Sequence, residues 1–204
     1  MSAKGMVTTA EIAHAAGQWV CRAGHGGPAV MAWALLLALA LALPSAAAPA
    51  PAPAASATVV VVVRHAEKAV DDPRDPTLTE AGTARALALA RRLESAGLDA
   101  AFATQYRRTQ LTAAPAAAQA GIAVQVRPAD AGNAASYAAD LARDLRALPS
   151  GSTALVVGHS NTVPGIVAAI SGLPVAGMPE TEYDRYVVIV LDGGHRARVF
   201  VSTY

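Results

Sequence analysis

From residue 58 onward, two hydrophobic periods alternate along the chain. Thr58–Val63 is an unbroken β-branched run, the pattern of a strand covered on both faces. Glu80–Ala96 changes to a helical period, with Gly82, Ala86, Leu89 and Leu93 on one side, Thr79 placed to cap the start and Gly97 to end it. Asp99–Ala103 predicts a short strand, Arg107–Ala120 an alanine-rich helix stopped by Gly121, and Ile122–Val126 another strand. Ala134–Leu148 predicts a helix with Leu141, Leu145 and Leu148 on its apolar side. Thr153–Val157 repeats the apolar character of the first strand, and a short helix follows to about Ile170. Tyr186–Leu191 and Arg196–Ser202 flank Asp192-Gly193-Gly194-His195, a turn sequence suited to a hairpin. This order predicts an α/β fold: a mainly parallel sheet with helices on both faces and a C-terminal antiparallel hairpin.

The pattern upstream is different. Ala29–Leu43 is an apolar run of 15 residues without a charge, short of the roughly 20 that span a bilayer. With Arg22 before it and Pro44-Ser45-Ala46-Ala47-Ala48 after it, the run reads as the core of a secretory signal cleaved after Ala47. A retained membrane anchor is the competing reading. Residues 1–47 are therefore assigned to targeting, 48–57 (Ala and Pro in alternation) to a semi-rigid linker, and 58–204 to the folded domain. An exported protein, periplasmic or secreted, is the expectation.

Charge and cysteine content narrow the function. The formal charge is +1, and removing Lys4, Arg22 and Glu11 leaves 14 basic and 14 acidic side chains. Without a basic tract, nucleic acid is not an expected partner. Cys21 is the single cysteine, which excludes an internal disulfide and any multi-cysteine metal site. No metal and no cofactor are expected.

Ligands of parallel α/β sheets sit beyond the carboxyl ends of the strands. Arg64-His65 ends the first strand and Gly158-His159 the fourth, so two imidazoles share one rim with Glu67, Lys68 and Asn161. Arg107 and Arg108 open a helix nearby. Guanidinium groups and helix N-termini bind tetrahedral oxyanions. A neutral imidazole among such cations is a competent nucleophile toward phosphorus, because the cations offset the charge that repels attack.

Four stretches also resemble one family. Val63-Arg64-His65-Ala66-Glu67-Lys68 is similar to the first-histidine signature of the histidine phosphatase superfamily, the phosphoglycerate-mutase-like group. Leu78–Gly82 (LTEAG), Thr104–Ala113 (TQYRRTQLTA) and Val156–Asn161 (VVGHSN) resemble its later segments, in order. The resemblance implies a three-layer sandwich and a metal-independent phosphatase acting on a small phosphorylated substrate. It implies His65 as the nucleophile that becomes phosphohistidine, Arg64 and Arg108 as phosphate ligands, with Arg107 the alternative, and His159 as the second histidine.

The general acid is the departure. Asp130 is the only carboxylate in the window where the family often carries one, Glu67 is its rival by proximity, and Ser160 stands where some relatives have aspartate. A missing acid would cripple alkyl phosphate hydrolysis but matter little for phosphohistidine or an acyl phosphate. Small bacterial phosphohistidine phosphatases have this size and this lack. The competing class is a non-catalytic phosphate-binding or envelope-interaction module. Lys68, Tyr183, Asp184, Tyr186 and the loop Asp71–Asp75 read more simply as surface or packing residues, and His195 as a surface turn.

Overall fold

The computed structural model describes residues 56–193 and 196–204. Apart from Ser56 and Ala57, the targeting and linker readings lie outside the described residues, as do Cys21 and the turn histidine His195. The elements are β1 (Thr58–Arg64), α1 (Glu80–Leu93), β2 (Leu98–Ala103), α2 (Arg107–Gln119), β3 (Val124–Val126), α3 (Tyr137–Arg146), β4 (Thr153–Gly158), α4 (Val163–Ser171), β5 (Arg185–Leu191) and β6 (Ala197–Thr203). They form one six-stranded sheet in the order β3-β2-β4-β1-β5-β6. The first four of these strands run parallel, β5 adds antiparallel to β1, and β6 adds antiparallel to β5.

The valine run of β1 is buried on both faces. Val60 and Val62 pack with Leu141, Leu145, Ile166 and Ile170, residues of α3 and α4. Val61 and Val63 pack on the other face with Leu89, Leu93, Ala113 and Ala117 from α1 and α2. All four valines are at most 2% exposed, and each contributes on the order of 1.5–3 kcal/mol by leaving water. This double cover explains why β1 shows no alternation of polar and apolar residues.

Among the boundaries that differ from the sequence pattern, three have a hydrogen-bonding cause. The strand predicted from Ile122 begins at Val124, because the Ile122 amide turns back to the Ala117 carbonyl and closes the end of α2. The helix predicted from Ala134 begins at Tyr137. Asp130 Oδ1 accepts the amides of Gly132 and Asn133, and the Asn133 carbonyl accepts those of Ser136 and Tyr137, so a turn takes up the intervening residues. The first helix ends at Leu93 instead of Ala96, where a turn from Ala96 to the Leu93 carbonyl leads to Gly97 at φ 62°.

The register of the two central strands sets the site. Arg64 of β1 lies opposite Gly158 of β4, and the His65 amide donates to the Gly158 carbonyl at 2.9 Å. His65 and His159 therefore leave neighbouring strand ends side by side. Helix α1 approaches the same edge closely: a Cβ on Gly82 would stand 2.3 Å from the Glu67 carbonyl oxygen. Only a residue without a side chain permits that contact.

Candidate active site

A cleft of about 430 Å³ opens at the carboxyl edge of the sheet, lined by Arg64, His65, Lys68, Tyr106, Arg108, Ala129, His159, Ser160, Asn161, Thr162 and Glu180. The two imidazole centroids are 5.3 Å apart, edge toward face. Three of the lining residues are cations and one is a carboxylate, so the cleft favours an anion.

Each reactive group is held by its local backbone. His65 Nδ1 is 2.7 Å from the Ala66 carbonyl oxygen. A carbonyl only accepts, so in the neutral ring Nδ1 carries the proton and Nε2 keeps its lone pair. Burial lowers the pKa of His65 to about 4, with Arg108, Arg64 and Lys68 acting in the same direction against the pull of the Ala66 hydrogen bond. Burial likewise lowers that of His159 to about 3, aided by His65 and the two arginines. Both rings are neutral at physiological pH.

The Ala66 amide in turn donates to Thr112 Oγ1 at 2.9 Å, and that hydroxyl donates to the Arg108 carbonyl one helical turn earlier. The threonine that follows the second arginine by four residues thereby ties α2 to the chain beside His65. His159 Nε2 meets Thr104 Oγ1 at 3.0 Å, which meets Thr109 Oγ1 at 2.9 Å. From sequence, Thr104 and Thr112 serve only as the spacing marks that select Arg108, and Thr109 carries no signal.

The arginines differ in their partners. Arg64 is 1% exposed; its Nη1 donates to the carbonyls of Pro179, Glu180 and Glu182, and Nη2 pairs with Glu180 at 2.9 Å. Its guanidinium lies 4.2 Å over the Tyr183 ring, and that of Arg108 lies 4.3 Å over Tyr106. The Nε atoms of both Arg64 and Arg108 are buried without a partner. Two orphaned cationic donors among a pair of neutral imidazoles form a cradle for an oxyanion.

The remaining sequence candidates separate clearly. Asn161 lines the cleft, exposed at its rim. Arg107 does not line it; its amide is held by Asp75, and one step along a helix turns a side chain by about 100°. Glu67 does not line it either. Both its oxygens are engaged by Arg85, with contacts of 2.7–3.0 Å. Asp130 is exposed, outside the cleft lining, with Oδ1 committed to its own turn.

The carboxylate that does line the cleft is Glu180, which sequence reasoning missed. It accepts from Ser160 as well as from Arg64, and the Ser160 bond and then the Arg64 charge lower its pKa. No motif marks it; it arrives on the segment between α4 and β5. Lys68, read from sequence as a surface residue, also lines the cleft.

The described domain, a doubly covered sheet with its site at the carboxyl edge, has the phosphoglycerate-mutase-like α/β fold. The family description "histidine phosphatase superfamily (branch 1)" matches residues 60–129, the stretch that carries Arg64, His65 and Arg108. Three solved structures show the same fold. A mycobacterial glucosyl-3-phosphoglycerate phosphatase is 16% identical, with 72% of this chain and 98% of that chain covered and a TM-score of 0.56. The protein histidine phosphatase SixA complexed with tungstate is 19% identical, with 71% and 96% covered and a TM-score of 0.53. YhfR of Bacillus stearothermophilus is 19% identical, with 71% and 96% covered and a TM-score of 0.54. No curated protein matches the chain.

Proposed function

We propose that the protein is a metal-independent phosphatase that works through a phosphohistidine on His65. The observation that carries this reading is the pair of imidazoles 5.3 Å apart beside two guanidinium groups, each with a buried, unpartnered Nε. The His65 Nε2 lone pair attacks phosphorus, the N–P bond forms, and the P–O bond to the leaving group breaks with its electrons. Arg64, Arg108 and His159 hold the phosphoryl oxygens, and Asn161 borders them. Water then attacks phosphorus, the N–P bond breaks, and inorganic phosphate leaves. A divalent cation would face three positive side chains against one carboxylate, which supports chemistry without a metal.

The leaving group is constrained by the acids. Glu67 is locked on Arg85, Asp130 is tied into its turn, and Glu180 is held ionised by Ser160 and Arg64. None is poised to protonate an alkoxide. The reading therefore favours aryl phosphates, acyl phosphates and phosphohistidine, whose leaving groups depart with little help. With p-nitrophenyl phosphate, turnover should survive a chelator and fall by about 10³-fold or more in His65→Ala. The heavy engagement of Arg64 by the segment around Glu180 favours one alternative, a phosphate-binding module without catalysis. Saturable phosphate binding with no turnover would select it.

A further inference from the structure

A second cleft, of about 450 Å³, adjoins the phosphate cleft and shares Tyr106, Ala129, Asn161 and Thr162 with it. Tyr106 joins the two physically. Its ring carries the Arg108 guanidinium at 4.3 Å and meets the His159 ring edge-on at 5.5 Å. A substituent on a phosphoryl group held by Arg108 and His159 thus has the second cleft within reach across a common wall.

Gly165, near the start of α4, lines this cleft and has no backbone reason to be glycine. It is not among the glycines with positive φ, and a Cβ built there meets nothing within 4 Å. Glycine costs a helix up to about 1 kcal/mol relative to alanine. A side chain at this position would project into open space bordering the cleft, so the glycine leaves that space free for something else. The chemistry of the lining is specific too: tyrosine rings from residues 106 and 137, the carboxylate of Asp130, and no lysine or arginine. Rings stack on rings, and a carboxylate without a cation repels an anionic group. The volume lies in the range of about 300–1,000 Å³ that accepts small organic ligands.

We propose that this second cleft receives the leaving group and selects an uncharged aromatic one, so that the preferred substrates are aryl phosphate monoesters. This rests on the phosphatase reading above. It also agrees with the acid-poor site, since phenols ionise at a pKa of about 10, far below alkyl alcohols. In the step, His65 Nε2 bonds to phosphorus and the P–O(aryl) bond breaks; the aryl oxygen, at the phosphate-cleft end of the group, leaves with the electron pair and takes a proton from water, so that a neutral phenol occupies the second cleft.

The test is the ratio of kcat/KM for 1-naphthyl phosphate to that for acetyl phosphate, which has no ring. Gly165→Leu should lower this ratio by about tenfold or more, and Ala134→Trp, at an exposed position on the same cleft, should lower it in the same way. Circular dichroism checks that both variants fold, and the second variant serves if the first does not. A ratio unchanged within about twofold in a folded variant overturns the proposal. If wild-type protein turns over neither compound, the phosphatase reading fails instead, and calorimetry decides the cleft. Tighter binding of 1-naphthyl phosphate than of inorganic phosphate, reduced in Gly165→Leu, upholds it; equal affinities overturn it.

Discussion

At the tip of β1, the bond from His65 Nδ1 to the Ala66 carbonyl decides which ring nitrogen is free to react. Burial then keeps that ring unprotonated far below the ordinary histidine range. A proton-NMR titration of the His65 ring should show a midpoint near pH 4 instead of 6.5. Because the unfolded histidine binds its proton at the higher pH, this group withdraws stability as pH falls from about 6.5 toward 4. Glu67 withdraws stability in the same direction, but for a different reason. Burial raises its pKa, but the Arg85 hydrogen bonds outweigh that, and the net shift is downward. Glu67→Gln should cost about 1 kcal/mol of stability above pH 4.5, a difference that fades in denaturant titrations at lower pH. Turnover of p-nitrophenyl phosphate should be untouched. Arg108→Ala should lower kcat/KM by about 10²–10³-fold. Arg108→Lys should restore little of it, because a point charge does not reproduce the planar fork.

At the scale of elements, the site is a consequence of register. Arg64 opposite Gly158 puts the residues that follow each strand beside one another, and the α2 threonines fasten Arg108 to that edge. Gly82→Ala forces a Cβ against the Glu67 carbonyl and should cost about 1–3 kcal/mol, read as a lower thermal midpoint. The strands, helices and both histidine-bearing ends were legible in the sequence because β1 and β4 are continuously apolar and stop at charged or turn residues. The start of α3 was not. Asp130 and Asn133 form hydrogen-bonded turns that compete with helix, and an alanine-rich pattern does not register that competition. The strand predicted from Ile122 lost its first two residues to a backbone bond that closes α2, which no side-chain period encodes.

On the scale of the whole molecule, the cleft is assembled from segments far apart in the chain. The segments with recognisable spacing, those carrying Arg64, His65, Arg108 and His159, were readable. Glu180 was not, since it lies 116 residues from Arg64 on a loop whose path is set by carbonyl contacts to that arginine. Rates across a series of phosphate monoesters should fall steeply as the leaving group becomes more basic, because Glu67 and Glu180 are paired with arginines and Asp130 Oδ1 is bound in its own turn. The reading of residues 1–47 as a cleaved secretory signal, which is a proposal, predicts that N-terminal sequencing of the mature protein begins at Ala48. The central claim is tested most directly by quenching the protein during turnover of a ³²P-labelled aryl phosphate and mapping the label. The account predicts acid-labile, base-stable phosphate on His65, absent in His65→Ala. Turnover at full rate with no trapped label, or label on another residue, would contradict it.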